Sequence, residues 1–146
     1  MRERQTRLSP QPWPWPAPRV LIEHADAEAT ADVVAALRGD GFAVAVCRGP
    51  EHDSRCPLAV EEGCAAAEGA DVVVSWLGLT TAETREALAA LRRRLPTTPV
   101  LVVANAGEAA QWPELVANAS VVEAPVSPEQ VLSGVRSLRQ EARERA

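Results

Sequence analysis

The stretch Ala70–Leu79, which reads ADVVVSWLGL, constrains the fold of this chain more than any other segment. Its three consecutive valines, Val72–Val74, are β-branched residues without polar alternation. Such a run is typical of a strand that helices cover on both faces, as in a parallel sheet. In open α/β sheets, ligands and chemistry sit at the carboxyl ends of the strands. That point here is the segment Ser75-Trp76-Leu77-Gly78.

Other strand-like segments alternate with helical patterns along the chain. The predicted strands are Arg19–His24, Phe42–Cys47, Ala70–Trp76, Pro99–Asn105 and Ser120–Glu123. Five helices are predicted. The first follows Asp26, the second covers about 59–68, and the third begins at the Thr80-Thr-Ala-Glu83 capping box. The fourth covers 107–118, with Pro113 as a break or a start, and the fifth begins at Ser127. This alternation predicts an α/β three-layer sandwich, with one five-stranded parallel sheet of flavodoxin-like order 2-1-3-4-5.

Composition excludes several classes of protein. A hydrophobic fraction of 47% over 146 residues supports one domain with a real core, and a net charge of −5 argues against a nucleic-acid partner. No apolar run approaches the roughly 18 residues that span a membrane, and no secretory leader is evident. Three cysteines, an odd number, fit a reduced cytosol better than a disulfide framework. We therefore expect a cytoplasmic protein without membrane or nucleic-acid contacts.

Residues 1–18 differ from the rest of the chain because five of them are proline. Proline at this density forbids helix and favours extended polyproline geometry. We expect a disordered Pro/Trp-rich tail or a start codon placed too early, followed by one domain over residues 19–146. The alternative is that Trp13 and Trp15 dock into a groove of this chain or of a partner.

Several phrases, in their order and spacing, carry a family resemblance over residues 19–140. They are RVLIEHADAEATADVVAALRGDGFAV, ADVVVSWLGL, TTPVLVVANAG and VVEAPVSPEQVLSGVRSLR. With them the chain resembles the receiver domain of bacterial response regulators. The last phrase is the most specific, because receivers show a proline after strand five and then a helix start of this type. The resemblance also implies a cis bond between Ala124 and Pro125.

The resemblance implies where a phosphoryl-transfer site would lie. Receivers phosphorylate an aspartate at the end of strand three, hold Mg²⁺ with an acidic pair after strand one, and contact the phosphate through a Ser/Thr after strand four and a Lys before the proline. On this sequence the acidic pair falls at His24 and Ala25, the phosphoacceptor at Trp76, the hydroxyl at Ala104, and the lysine at Ala124, before Pro125.

Each of these replacements removes a group that the chemistry needs. An indole cannot accept the phosphoryl group, and neither His24 nor Ala25 supplies the carboxylate oxygens that Mg²⁺ prefers. Asp26 is one carboxylate and can cap the next helix, and the chain has no lysine at all. The resemblance therefore implies a pseudo-receiver, a signalling domain with the receiver fold that cannot be phosphorylated. We expect a regulatory or scaffolding module that contacts a protein partner through strand five and the last helix, with a homodimer as one candidate.

Enzyme motifs are absent. The sequence has no GxGxxG, no GxxxxGK[ST] and no GxSxG. Ser75 with His24 on a neighbouring strand would be the minimal nucleophile pair, but a small residue in a core strand explains Ser75 more simply. We therefore predict no enzymatic activity, no catalytic residues and no cofactor.

A cysteine-bearing loop follows the second strand and is not ordinary receiver sequence. Cys47, His52, Cys56 and Cys64 lie here, with the spacing C-x8-C-x7-C. Three thiolates and an imidazole suffice for tetrahedral Zn²⁺, and three thiolates could hold an iron–sulfur cluster. Two of the thiols could instead form a reversible disulfide, or all three could be structural. A metal-, cluster- or thiol-based sensor is therefore the alternative function.

Overall fold

The computed structural model of the protein describes residues 17–50 and 56–145. The predicted tail up to residue 16 and the candidate ligand His52 lie outside the described residues. Ala17 and Pro18, which the sequence assigned to the tail, belong to the domain instead. Ala17 packs against the core, and the Pro18 carbonyl accepts a 2.8 Å hydrogen bond from the Ala43 amide. The extent of the tail stays a prediction.

The sheet is the predicted one. Its strands are β1 (Arg19–Glu23), β2 (Ala43–Cys47), β3 (Val72–Ser75), β4 (Val100–Ala104) and β5 (Ser120–Glu123). All neighbours pair in parallel, and the order is β2-β1-β3-β4-β5. The fold class predicted from the sequence is therefore confirmed.

The helices differ from the prediction in two places. They are α1 (Ala31–Gly39), after a 3-10 turn at Ala27–Thr30, then α2 (Ala65–Glu68), α3 (Ala82–Arg94), α4 (Glu108–Gln111), α5 (Pro113–Val116) and α6 (Pro128–Arg145). The helix expected over 59–68 forms only as α2, because the backbone turns before it and Glu61 has a positive φ of 64°. The helix expected over 107–118 is divided at Pro113, which lacks the amide that a continuous helix needs.

The helix starts follow local chemistry. Ser127 and Gln130 exchange the two hydrogen bonds of a capping box, at 2.7 and 3.1 Å, as predicted. The cap of α3 is Thr81 rather than Thr80, since the Thr81 hydroxyl accepts the amide of Thr84 at 3.1 Å. These caps fix where each helix leaves the sheet edge.

The two faces of the sheet pack against different helices. On the first face, Leu21, Val73 and Val102 share a buried cluster with residues of α2 and α3. On the second face, Val20, Ile22 and Val74 pack with residues of α1 and α6. Successive strand residues alternate between these faces. Neighbouring residues at a strand end therefore point to opposite sides of the sheet.

Three arginines of α3 hold neighbouring loops by donating to backbone carbonyls. The pairs are Arg85 with Leu79 at 3.0 Å, Arg92 with Leu115 at 2.8 Å, and Arg94 with Leu58 at 2.9 Å and Glu62 at 3.0 Å. Each guanidinium thus connects α3 to a loop or, at Leu115, to the short helix α5. Within the described ranges, no helix combines the length and apolar character needed to cross a membrane.

Candidate functional site

An aromatic pair occupies the carboxyl edge of the sheet, where the phosphorylation site of a receiver would lie. The rings of His24 and Trp76 meet edge to face, with centroids 4.9 Å apart and planes at 84°. Trp76 is half-buried and packs against the second-face cluster. Its amide donates to the carbonyl of Glu23 at 2.9 Å, which extends the β1–β3 pairing to this point. The indole therefore takes the place that the resemblance gave to the phosphoacceptor.

The residues present do not fit a magnesium ion. The Nδ1 atom of His24 accepts the amide of Asp26 at 2.9 Å, so it is already engaged. The Asp26 carboxylate accepts the amide of Glu28 at 2.9 Å, as the predicted cap does. Ala25 has no donor atom in its side chain. One capping carboxylate is not the set of oxygen ligands that Mg²⁺ requires.

At Ala104 and Ala124, the positions predicted for the hydroxyl and the lysine, the structure shows apolar packing and one backbone hydrogen bond. Ala104 is buried in the first-face cluster at the end of β4, and its carbonyl accepts the Ala124 amide at 2.8 Å. Ala124 packs against the second-face cluster, as Trp76 does. The bond between Ala124 and Pro125 is cis, as predicted. Neither alanine can replace the hydroxyl or the ammonium group of a receiver.

A buried carboxyl group that the sequence analysis missed lies on the other face of the same edge. Glu23 ends β1, is only 6% exposed, and has no hydrogen-bond partner at Oε1. Burial raises the pKa of this carboxyl to about 7, although a hydrogen bond with Ser75 lowers it in part. The available signal was an acidic residue directly after the apolar run Val20–Ile22.

The three thiols lie on the same side of the sheet as this carboxyl group, and Cys47 is in register with Glu23. Cys47, Cys56 and Cys64 are free and partly buried, and all three pack against the first-face cluster. Burial raises the pKa of Cys47 to about 12, and the nearby charge of Glu23 raises it further. Burial and Glu23 also raise the pKa values of Cys56 and Cys64. The thiols are therefore close enough to interact electrostatically, and the protonated form is favoured at each.

The predicted metal ligands are not assembled by the described part of the chain. Across residues 17–50 and 56–145, no three side chains of His, Cys, Asp or Glu are arranged to hold a metal ion. His52, the fourth candidate ligand, lies outside that part of the chain. Zinc or cluster binding by Cys47, His52, Cys56 and Cys64 stays a prediction.

Ser75 and His24 do not form the nucleophile pair that the sequence left open. Ser75 is 4% exposed and lies in register with Glu23, to which it hydrogen-bonds. His24 contacts Trp76, the residue after Ser75, on the opposite face of the sheet. Strand alternation therefore separates the hydroxyl from the imidazole.

A second missed carboxylate fixes the loops beside the crevice. Glu108 is 9% exposed and accepts amides from Asn105 at 3.0 Å and Leu79 at 3.4 Å. The guanidinium of Arg85 donates to the Leu79 carbonyl and lies 4.2 Å from the ring centroid of Trp112. These contacts tie the loop after β3 to the loop after β4. Nothing in the sequence distinguishes Glu108 from an ordinary first-turn glutamate.

Comparison with known proteins finds similarity in structure only. No protein-family model matches the chain, and no curated protein sequence matches it. A CheY-like response regulator receiver domain protein from Methanospirillum hungatei JF-1 is 19% identical, with a TM-score of 0.66 over 88% of this chain and 98% of that one. A receiver domain protein from Clostridium thermocellum is 12% identical, with a TM-score of 0.67 over 88% of this chain and 99% of that one.

A third solved structure is similar to this chain to the same degree. The response regulator receiver protein from Sinorhizobium medicae WSM419 is 20% identical, with a TM-score of 0.64, and the match covers 87% of this chain and 98% of that one. Identities this low show the fold and do not carry over the chemistry. The sheet order, the crossovers and these matches together show that the chain has the CheY-like fold of response regulator receiver domains.

Proposed function

We propose that this protein is a pseudo-receiver, a cytoplasmic signalling module that works without phosphorylation and without enzymatic activity. It would regulate or scaffold a protein partner by direct contact. The observation that carries the proposal is the contact of the Trp76 and His24 rings, because Trp76 is the residue expected at the phosphoacceptor position and His24 is one expected at the acidic pair. Two further observations support it. The Asp26 carboxylate is occupied as a helix cap, which leaves Mg²⁺ without a set of oxygen ligands, and the chain has no lysine to contact a phosphoryl group.

The proposed contact surface is formed by β5 and α6. Ser120, Val121 and Glu123 are exposed along this edge strand, and Val121 is a large apolar side chain that is 38% exposed. An edge strand presents unpaired backbone groups, and an apolar residue beside them favours association. The partner is a different protein or a second copy of this chain.

The proposal predicts that small phosphodonors leave the protein unmodified. After incubation with acetyl phosphate and Mg²⁺, intact-mass spectrometry should show no phosphoryl adduct, since Trp76 stands at the position expected for the acceptor and the residues beside it do not fit Mg²⁺. A receiver domain that retains its aspartate serves as the positive control. A stoichiometric, acid-labile adduct would overturn the proposal, because it would mean that an acceptor lies elsewhere.

The contact surface predicts a specific effect of charge. Val121→Glu should abolish partner capture or self-association, measured by affinity purification and by sedimentation at several concentrations. Ala35→Glu, which adds the same charge at an exposed position of α1, is the matched control and should behave as the unmodified protein. Equal binding by both variants would place the interface on another surface.

A metal-, iron–sulfur- or thiol-based sensor is the second candidate function. The observation that favours it is that all three thiols are free and pack against the same first-face cluster. The raised pKa values argue against spontaneous thiolate reactivity, because the thiolate is the nucleophile and the metal ligand. A cation would have to stabilise all three thiolates together.

Metal analysis separates the two candidates. Protein purified without a His-tag should contain no stoichiometric zinc or iron and show no visible absorbance if the thiols are structural. A 1:1 metal content that is lost in Cys56→Ser, with Ser54→Ala as a control in the same loop, would instead establish the sensor.

A further inference from the structure

A cavity lies at the amino-terminal edge of the sheet, opposite the crevice. Its volume is about 710 Å³, and the starts of β4 and β5 line it together with the last turns of α3 and α6. Val100 and Leu138 in this lining are buried, whereas Glu141 and Arg145 are exposed. The volume is within the range of pockets that enclose small ligands.

One wall of the cavity carries a guanidinium group in a fixed position. Arg92 donates to the Leu115 carbonyl at 2.8 Å and to the Ala117 carbonyl. A guanidinium held in this way is a ready surface for an indole, which stacks on it by cation–π attraction. The described residues contain such a pairing, since Arg85 lies 4.2 Å from the ring centroid of Trp112.

The N-terminal segment enters the domain at the same edge. Strands lie about 4.8 Å apart, so the midpoint between β4 and β5 is about 12 Å from β1 across the sheet order. Proline-rich chain extends about 3.1 Å per residue, which gives a reach of about 15 Å from Pro18 to Trp13 but only about 9 Å to Trp15. Trp13 is therefore the tryptophan that spans the distance.

Charge also favours contact between the segment and the domain. Residues 1–16 contain three arginines and one glutamate, a formal charge of +2. Since the whole chain carries −5, the remaining residues carry −7. Opposite net charges favour contact between the segment and the domain as a whole, whereas the charged residues of the cavity lining, Arg92, Glu141 and Arg145, have both signs and do not select this site.

We propose that residues 1–16 fold back along the amino-terminal edge of the sheet and place the indole of Trp13 in this cavity, against Arg92. The prolines on both sides of Trp13 keep the segment extended, which reduces the entropy lost on docking. The docked segment covers the edge farthest from the Trp76–His24 crevice. This inference does not depend on the function proposed above.

The test is fluorine NMR of the full chain labelled with 5-fluorotryptophan, which gives one signal for each of its four tryptophans. Trp13→Phe and Trp15→Phe assign the two signals of the segment. We expect the Trp13 signal to be shifted from that of Trp15 and to respond less to exchange of H₂O for D₂O. Ser120→Phe, which places a ring at the cavity lining on an exposed strand residue, should return the Trp13 signal to the position of an exposed indole.

Three other results of these NMR experiments would overturn the proposal. If Trp13 and Trp15 give equally exposed signals, the cavity does not hold the segment. If Ser120→Phe leaves a shifted Trp13 signal unchanged, the indole docks elsewhere. A Trp13 shift that disappears on dilution, together with a dimer in sedimentation, would show that a second copy supplies the indole. The Trp76 and Trp112 signals report whether each variant keeps its fold.

Discussion

Replacing Glu23 with glutamine should stabilise the protein at pH 8 by an amount approaching ~3 kcal/mol, while leaving its stability almost unchanged below pH 4.5. The reason is the cost of ionising a carboxyl group that is buried and lacks a partner at Oε1. Its pKa rises from 4.5 to about 7 on folding, and each unit corresponds to about 1.36 kcal/mol. Glutamine keeps the shape and removes the charge.

The direction of this change in stability follows from how many protons the folded and unfolded states bind. Between pH 4.5 and about 7 the folded protein holds the Glu23 proton and the unfolded chain has lost it, so the free energy of unfolding falls as the pH rises. Below pH 4.5 both states are protonated, and the stabilising contribution is fully present. Above about pH 7 both states are ionised, and that contribution is lost.

Urea unfolding of both proteins from pH 4 to pH 8 measures this difference. Subtracting the two curves cancels the contributions of the other acidic residues. Glu123→Gln is the matched control, since it removes the same charge from the exposed end of β5. Parallel curves for Glu23→Gln and the unmodified protein would mean that the carboxyl group is solvated and titrates normally.

Replacing Trp76 with aspartate should destabilise the fold by about 2 kcal/mol or more and should not restore phosphorylation. The substitution removes a half-buried indole from its contact with His24 and places a carboxylate against apolar neighbours. It restores one receiver group, but the positions of the metal ligands, the hydroxyl and the lysine remain His24, Ala25, Ala104 and Ala124. The predicted result is a weaker fold with an unchanged mass after treatment with acetyl phosphate and Mg²⁺.

Trp76→Phe separates the loss of packing from the gain of charge. Phenylalanine can keep the edge-to-face contact with His24, so we expect a cost of only about 1 kcal/mol. Denaturant titration gives the stability of both variants, and intact-mass spectrometry reports modification. A Trp76→Asp protein that becomes phosphorylated would show that the site is closer to a working receiver than its side chains indicate.

The sheet was predictable because its signals are local and redundant. The valine run of β3, the apolar segments of the other strands and the cap at Ser127 each point to one parallel sheet with alternating helices. The short helices were less predictable, because Glu61 and Pro113 interrupt patterns that otherwise read as continuous. A single residue that interrupts a helical pattern moves the ends of the helices but does not change the order of helices and strands.

The chemistry of the carboxyl edge was only half predictable. A family resemblance located Trp76 and His24, and their contact follows from adjacent strand ends. Glu23 was missed because a single acidic residue at a strand end is normally exposed, and its burial comes from tertiary packing that the strand pattern does not show. Glu108 was missed because one of its two partners, the Leu79 amide, lies in a distant loop, which no sequence pattern encodes.

The arginines of α3 have a practical consequence for work on this protein. Arg85, Arg92 and Arg94 hold loops through the fixed fork of the guanidinium, which a single ammonium group cannot reproduce. Because the chain has no lysine, amine-directed cross-linkers and surface couplings have no side chain to attack. Exchanging these arginines for lysine to create such handles would release three loops at once. New amines therefore belong on the exposed face of α1, which leaves both the arginines of α3 and the proposed contact surface intact.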